Sequence, residues 1–229
     1  MSARVQIGPH RLYHGDAYAI RPTLGRFDAD VLDPAYEFRA EGGGIYRKSR
    51  RGMDDIIDQG LAEGFDHAII NPLLCGSVVV FCHNDQLHAL LPYLAGNFYR
   101  HAVLVYEKSN PQPVANKHYR PDFEFFIHAW HEGSHPIGAL AAKARRITAT
   151  APRGKAKFGH PTVKPDAVMD KIMANVNGAT ICDAFMGTGS TGVAAINAGR
   201  VFTGIEHNRA HFETACRRIS EAYKAGLGD

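Results

Sequence analysis

The strongest chemical signal in the sequence is a glycine-rich segment at residues 180–192, which reads TICDAFMGTGSTG. An apolar run leads into Gly187, Gly189 and Gly192, and a helical pattern, VAAINAG, follows them. Glycines at such a turn let the backbone bend sharply and let a ligand approach without a Cβ in the way. The helix that follows would point its N-terminal N–H groups at that ligand.

A carboxylate accompanies this turn. Glu206 ends the next apolar run, 19 residues after Gly187, where it could accept hydrogen bonds from the two hydroxyls of a ribose. The pattern predicts a nucleoside-binding unit, and nicotinamide dinucleotides and S-adenosylmethionine both use this geometry. A purely structural turn is the alternative. Since 37 residues follow Gly192, we expect the rest of the sheet to come from the chain upstream.

A second segment, Asp33-Pro34-Ala35-Tyr36, ends a short apolar run. The Asp33 carboxylate and the Pro34 carbonyl could accept both hydrogens of an exocyclic amine on a nucleobase, which would aim the nitrogen lone pair at a methyl donor. Tyr36 offers a ring face to a base rotated out of its stack. This chemistry needs no metal. An ordinary Asp-Pro turn is the competing interpretation.

These segments need a sheet to position them, and short apolar runs alternate with longer periodic segments as they do in α/β folds. We predict seven strands, at residues 11–14, 29–32, 77–82, 102–106, 123–129, 180–185 and 200–205. Helices are predicted at residues 165–176, with Pro165 in the first turn, and at residues 208–223, with Asn208 as N-cap. The resulting fold class is α/β, with a doubly wound, mostly parallel sheet.

Composition sets outer limits on the function. The chain has 229 residues and a formal net charge of +3, which by itself indicates no particular partner. Its four cysteines form no C-x-x-C pair, and no apolar leader or membrane-length apolar run is present, so we expect a cytoplasmic protein with no membrane partner. His128, His131 and His135 are interpreted as solvent-facing or capping, and no metal site is predicted.

The basic residues are concentrated in two loop-like segments. Residues 39–51 contain five basic residues, and residues 139–160 contain six basic residues and no acidic one. Solvated loops are one interpretation and phosphate-contacting arms are the other. On the second interpretation, the candidates for contact with the phosphates of a nucleic acid are Arg47, Lys48, Arg50, Arg51, Lys143, Arg145, Arg146, Arg153 and Lys155.

Together with a third segment, HPTVKP at residues 160–165, the two motifs resemble the amino-methylating DNA methyltransferases that use S-adenosylmethionine. The order of the motifs is similar to that of the β class, a circular permutation in which the catalytic half precedes the cofactor half. The resemblance implies one Rossmann-like methyltransferase domain, with a catalytic half at residues 1–132 and a cofactor half at residues 160–229. A short basic target-recognition region or loop, residues 133–159, would lie between them.

The resemblance also implies roles for individual residues. Asp33, Pro34 and Tyr36 would be catalytic, and Glu206 would hold the ribose. The other cofactor-binding residues would be Asp16 beside the adenine ring, Thr162 and Lys164 beside the methionine end, and Asp183, Phe185, Gly187 and Gly189 in the pocket. The family usually has a second proline where this chain has Ala35, so the base pocket is expected to be less rigid.

The expected activity is therefore methyl transfer to the N6 amine of a flipped adenine in double-stranded DNA, because aspartate at the first catalytic position is more usual in adenine enzymes. N4-cytosine methylation and a catalytically weak protein that binds DNA or cofactor remain open. A nicotinamide-dependent oxidoreductase would explain Glu206 but neither of the other two motifs. Dimers are frequent among relatives, which makes a homodimer a further candidate.

Overall fold

A computed structural model describes residues 3–36, 64–111, 119–152 and 163–228 of the chain. In these residues, nine strands form one sheet in the order β1-β2-β9-β8-β3-β4-β6-β5-β7. The strands are β1 Ala3–Ile7, β2 His10–His14, β3 Phe27–Leu32, β4 Cys75–Cys82, β5 Arg100–Lys108, β6 Phe123–Trp130, β7 Arg146–Ala149, β8 Thr180–Asp183 and β9 Val201–Glu206. Five of the eight neighbouring pairs are parallel, so the predicted mostly parallel sheet is confirmed.

The helices pack on both faces of this sheet. They are α1 Ala17–Ile20, α2 Leu87–Asn97, α3 Asp166–Asn175, α4 Ser190–Asn197 and α5 Arg209–Gly226. One buried cluster joins the sheet to α3, α4 and α5 through side chains such as Val168, Ala194 and Phe212. A second cluster on the opposite face includes Leu90 and Leu94 of α2. The doubly wound arrangement follows from these two cores.

All seven predicted strands are present, but the predicted strand number is wrong because β1 and β7 extend the sheet at its two ends. The strand β7 lies within residues 133–159, where a loop was one expectation. Its Ile147 and Ala149 pack against the core although Arg146 is exposed. Because β7 has four residues and pairs with β5 on one side only, it needs few apolar residues.

Both predicted helices are confirmed. The side chain of Asn208 accepts hydrogen bonds from the backbone N–H groups of Ala210 and His211, at 3.0 and 3.1 Å, as an N-cap does. Pro165 stands at the N-cap of α3 rather than inside its first turn. Both α3 and α5 bury one face against the sheet. This packing places the start of α3 next to the central strands.

The centre of the sheet is a topological switch point. The chain leaves β8 through α4 toward β9 on one side, whereas from β3 it continues toward β4 on the other. Open α/β sheets bind ligands in the crevice that forms where neighbouring strands diverge in this way. The carboxyl ends of β3 and β8 are the places where the sequence has the Asp-Pro-Ala-Tyr segment and the glycine turn.

Candidate active site

A cavity of about 600 Å³ opens at the carboxyl ends of β3 and β8. Its walls include nine described residues of the predicted catalytic and cofactor sets: Asp16, Asp33, Pro34, Tyr36, Lys164, Asp183, Phe185, Gly187 and Glu206. Gly189 is not part of the lining and packs against α5 at Ala215 and Ile219. The fold therefore brings together two motifs that lie far apart in the chain. Thr162 lies outside the described residues.

The glycine turn has the backbone conformation that its composition predicts. Gly187 and Gly189 have φ angles of +51° and +86°, in the left-handed region that favours glycine, and α4 starts at the next residue, Ser190. A Cβ on Gly189 would also come within 3.2 Å of the Cα of Ala215. The turn presents bare backbone and the N-terminus of α4 to the cavity.

Glu206 braces this turn from the end of β9. Its Oε2 accepts a hydrogen bond from the Gly187 N–H at 2.9 Å, and its Oε1 accepts one from the Asn208 N–H at 2.6 Å. Burial raises the pKa of the Glu206 carboxyl, while these two backbone donors oppose the shift. Each oxygen keeps a further lone pair that could accept a hydrogen bond, and Glu206 lines the cavity, as binding of ribose hydroxyls requires.

Asp183 ends β8 and is buried, with 1% of its surface exposed. Its Oδ1 accepts a hydrogen bond from the Phe185 N–H at 2.9 Å. Burial raises the pKa of Asp183 to about 8, and hydrogen bonds from Thr191 and Phe185 offset only part of that shift. The carboxyl therefore holds a proton near neutral pH until a cation or a donor reaches it.

Aromatic rings form the wall near Asp16. The ring of Phe185 lies 6.2 Å from that of Tyr18 and 6.5 Å from that of Phe65, measured between centroids, in edge-to-face arrangements. The Asp16 carboxylate accepts a hydrogen bond from the Tyr18 N–H at 2.9 Å and caps α1. Sequence reasoning missed Tyr18 and Phe65, because isolated aromatic residues carry no spacing signal.

The predicted catalytic segment, residues 33–36, takes part in a tight polar cluster. Lys164 Nζ lies 2.8 Å from Asp33 Oδ1 and 3.3 Å from Glu124 Oε2, and it donates a hydrogen bond to the Tyr36 hydroxyl at 3.0 Å. That hydroxyl lies 3.3 Å from Asp33 Oδ1 and 3.5 Å from Glu124 Oε2. Lys164 also lies over the rings of Tyr36 and Phe81, at 5.1 and 4.8 Å from their centroids.

The charges of this cluster stabilise one another. Burial lowers the pKa of Lys164, but Asp33 and Glu124 more than offset this and raise it well above its usual range. Burial raises the pKa of Glu124, but Lys164 and Lys108 lower it to about 2. Burial also raises the pKa of Asp33, against the opposing effect of Lys164. Lys164 and Glu124 therefore remain charged over the physiological range.

Glu124 was missed from the sequence. It lies in β6, and its Oε1 forms an ion pair with Lys108 at 2.8 Å. A signal was present, because Glu124 is an isolated acidic residue within the run FEFFIHAW, and a charge in an otherwise apolar strand needs a buried partner. That partner, Lys164, is 40 residues away in the sequence and could not be identified without the sheet register.

The predicted DNA-binding residues fall into two groups. Lys143, Arg145 and Arg146 are exposed beside β7, at one end of the sheet. Arg146 starts β7, whereas the opposite end of this strand, Ala149, pairs with Lys108 near the polar cluster. These basic side chains are therefore not in the cavity. The remaining candidates, Arg47, Lys48, Arg50, Arg51, Arg153 and Lys155, lie outside the described residues.

Two further searches covered the described parts of the chain. No group of three or more His, Cys, Asp or Glu side chains there is arranged to hold a metal ion. No helix in those parts has both the length and the apolar character needed to cross a membrane. His128 is buried in β6, where burial lowers its pKa to about 4, and His131 contacts the Pro72 carbonyl at 2.9 Å.

Solved structures share this fold. The complex of M1.HpyAVI with SAM superposes with a TM-score of 0.66 at 26% identity and covers 91% of this chain and 98% of that one. A putative DNA modification methylase from Thermus thermophilus, complexed with S-adenosyl-L-methionine, has a TM-score of 0.59 at 16% identity over 93% of this chain and 96% of that one. PvuII DNA methyltransferase (cytosine-N4-specific) has a TM-score of 0.60 at 12% identity and covers 95% of this chain and 92% of that one. The last two similarities concern the fold alone.

Two curated relatives match shorter segments. DNA adenine methyltransferase YhdJ from Escherichia coli K12 is 42% identical over 65 residues, which are 28% of this chain and 22% of the relative. Type II methyltransferase M2.LlaDCHI from Lactococcus lactis subsp. cremoris is 34% identical over 70 residues, which are 30% and 26% of the two chains. The matches thus span about a quarter of each relative.

A family model decides the assignment. The N6/N4 methyltransferase model, described as DNA methylase, matches residues 75–217, which is well over half of the 229-residue chain. The matched region runs from β4 through the first half of α5 and includes the glycine turn, Lys164 and Glu206. The protein belongs to the N6/N4 DNA methylase family.

Proposed function

We propose that this protein transfers the methyl group of S-adenosylmethionine to the N6 amine of an adenine that is rotated out of double-stranded DNA. The observation that carries the proposal is the position of Asp33, on the wall of the same cavity as the glycine turn. A carboxylate that can accept hydrogen bonds from an amine thus faces the site that the turn offers to a nucleoside. Membership in the DNA methylase family supplies the substrate class.

The residues of the cavity fit the cofactor of this family. S-adenosylmethionine, when bound, supplies a methyl group on a positively charged sulfur. Gly187 would let the cofactor approach the backbone of the turn, while Gly189 would let the turn pack closely against α5. Glu206 would accept hydrogen bonds from the ribose, and Phe185 would contact the adenine ring from the aromatic wall. Asp16 would face the adenine edge, and Lys164 and Thr162 the methionine end.

The catalytic contribution of the chain would be positional and electrostatic. Asp33 and the carbonyl of buried Pro34 would each accept one hydrogen of the target amine and leave its lone pair directed at the methyl group. The charge of Asp33 would also stabilise the positive charge that grows on the nitrogen. The Tyr36 ring would pack on the flipped base, as the family pattern implies.

Adenine is favoured over cytosine by two observations. The first catalytic position is Asp33, and the relative with 42% identity over 65 residues is named as an adenine methyltransferase. N4-cytosine methylation is the second candidate, since both amines are exocyclic and the family model spans both activities. A protein that binds without turnover is the third, because Ala35 replaces the usual second proline of the catalytic segment.

A methyl-transfer assay separates these candidates. Purified protein is incubated with methyl-labelled S-adenosylmethionine and mixed-sequence duplex DNA, and the digested nucleosides are then identified by mass spectrometry. We expect N6-methyladenine, with a loss of about 100- to 1000-fold for Asp33→Ala. N4-methylcytosine instead would establish the second candidate. Cofactor binding with no methyl on any DNA would establish the third.

Three further properties belong to this proposal. We propose that residues 1–132 act as the catalytic half and residues 160–229 as the cofactor half, with residues 133–159 contributing to target recognition. A homodimer would add recognition surface to this short region, and light scattering with and without DNA would measure it. A cytoplasmic location is expected from the cysteines, all four of which are unpaired.

A further inference from the structure

The proposed catalytic carboxylate shares both of its hydrogen-bond donors with a second carboxylate. Lys164 Nζ lies between Asp33 Oδ1, at 2.8 Å, and Glu124 Oε2, at 3.3 Å. The Tyr36 hydroxyl also lies within reach of both carboxylates, at 3.3 Å from Asp33 Oδ1 and 3.5 Å from Glu124 Oε2. Both donors therefore reach either carboxylate with small rotations.

Glu124 is held as a fixed acceptor. It belongs to β6, which pairs with β4 on one side and β5 on the other, so its backbone is part of a three-strand unit. Its other oxygen, Oε1, is paired with Lys108 at 2.8 Å. Asp33, in contrast, follows the last residue of β3. The pair thus combines a rigidly placed carboxylate with one at the edge of the cavity.

The present contacts of Asp33 oppose part of its proposed role. Lys164 and Tyr36 both lie against Oδ1, so the lone pairs of that oxygen are engaged and Oδ2 is the oxygen left for an amine. An ammonium 2.8 Å away also opposes the positive charge that develops on the amine as it accepts a methyl group. Asp33 works best when both donors move to another acceptor.

We infer that Glu124 is a positioning residue for methyl transfer, which takes the Lys164 and Tyr36 donors from Asp33 when the target amine arrives. The inference rests on the proposed function, since it assigns the amine to Asp33. The exchange moves hydrogen bonds only, and no covalent bond forms or breaks in it. Its effect is to lessen the competition between these two donors and the amine for the Asp33 carboxylate.

Two substitutions at Glu124 separate charge from shape. Glu124→Gln keeps the size and removes the charge, whereas Glu124→Asp keeps the charge and shortens the side chain. Single-turnover methyl transfer is measured at saturating S-adenosylmethionine and DNA, with Glu213→Gln, an exposed residue of α5, as the matched control. We expect Glu124→Gln to lose about 10- to 100-fold, the value of hydrogen bonds to charged groups, and Glu124→Asp to lose less.

The relative activities of Glu124→Gln and Glu124→Asp test the inference. A Glu124 that only fills space predicts the reverse order, with the isosteric Gln more active than Asp, and that result overturns the inference. A wild-type rate in Glu124→Gln overturns it as well. In both cases the proposed function stands if wild-type protein methylates DNA and Asp33→Ala does not. If wild-type protein transfers no methyl group to DNA, both proposals fail.

A structure of the wild-type protein tests the exchange without any substitution. The sample contains S-adenosylhomocysteine and a duplex that the enzyme methylates. We expect Lys164 Nζ to lie closer to Glu124 than to Asp33, which reverses the present distances of 3.3 and 2.8 Å. Retention of the short Lys164–Asp33 contact with the base bound would refute the inference even if the variants fold poorly.

Discussion

At the scale of single residues, the cavity contains three carboxylates whose pKa values burial raises. Asp33, Asp183 and Glu206 all line it, and each is shifted in this direction, whereas Glu124 is held ionised by Lys164 and Lys108. Carboxylates in such surroundings disfavour further negative charge and favour a cation or a donor. A positively charged cofactor and an amine substrate are ligands of this type, so the electrostatics and the family assignment agree.

The raised pKa of Asp183 predicts that the free energy of unfolding depends on pH. The pKa of Asp183 is about 8 in the folded protein and about 3.8 in the unfolded chain, so the folded state holds one more proton between these values. Stability therefore falls as pH rises through this range, by up to about 1.4 kcal/mol per pH unit from this group. Asp183→Asn removes the titrating group. As pH rises, the free energy of unfolding of this variant should therefore fall less steeply than that of the wild-type protein.

Urea titrations of the cofactor-free proteins at pH 5, 6 and 7 measure this difference in slope. The lost hydrogen bonds of Asp183→Asn shift its stability equally at each pH, so the slope isolates the titration. Equal slopes for the two proteins would show that Asp183 is ionised throughout. Asp170→Asn, at an exposed position of α3, serves as the control for the change from Asp to Asn.

The Glu206 carboxylate supports a second prediction at this scale. Glu206→Gln keeps one acceptor oxygen, so either the Gly187 or the Asn208 N–H loses its partner and faces an amide NH₂ group. We expect affinity for S-adenosylmethionine to fall by about 10- to 100-fold, since a hydrogen bond to a charged group is lost and the turn is distorted. Calorimetry measures this, with Glu221→Gln on α5 as the control.

At the scale of elements, the site depends on how β3 and β8 are held together, because one precedes the catalytic segment and the other the glycine turn. Asp28 joins them at their opposite ends. Its Oδ2 accepts hydrogen bonds from the Ala179 N–H, the Thr180 N–H and the Thr180 hydroxyl, at 2.8, 2.9 and 2.8 Å. Burial raises the pKa of Asp28, but these donors outweigh burial and lower it.

Removal of this link should destabilise the central strands. Asp28→Ala leaves three donors without their acceptor, and we expect a loss of about 1–3 kcal/mol in the free energy of unfolding. Thr180→Ala removes the hydroxyl, which also accepts a hydrogen bond from the Asp28 N–H at 3.0 Å, but it keeps the carboxylate and both backbone donors to it, so its loss should be smaller. Chemical denaturation ranks the two variants, and an Asp28→Ala protein as stable as Thr180→Ala would contradict the role of the carboxylate.

The elements also show how far sequence reasoning reaches. Seven strands and two helices could be predicted because each has a continuous apolar run or a periodic face of its own. The strands β1 and β7 could not, because they are short edge strands whose pairing with β2 and β5 decides their structure. Likewise, the motifs reveal Asp33 and Lys164, whereas Glu124 joins them only through strand register.

At the scale of the whole molecule, the sheet separates the cavity from the exposed basic residues. Lys143, Arg145 and Arg146 lie beside β7 at one end of the sheet, and the cavity opens at its centre. Duplex DNA carries phosphates along both of its strands, and proteins that bind it contact phosphates to position themselves on the duplex. On the proposed function, we expect these residues to contact phosphates rather than to take part in the reaction.

This assignment predicts a specific change in salt dependence. Each phosphate contact contributes about 0.9 to the slope of log affinity against log salt concentration, so Arg145→Gln with Arg146→Gln should reduce that slope by about 1.8 if both contact phosphates. The matched control is Arg209→Gln with Arg217→Gln, which removes the same charge from α5, packed near β1 and β2 at the other end of the sheet. Fluorescence anisotropy with a duplex at several salt concentrations measures both slopes. Arg50→Gln with Arg51→Gln tests the second basic segment in the same way. If the control pair and the β7 pair change the slope equally, the effect reflects net charge, and the end of the sheet at β7 is not the DNA-binding face.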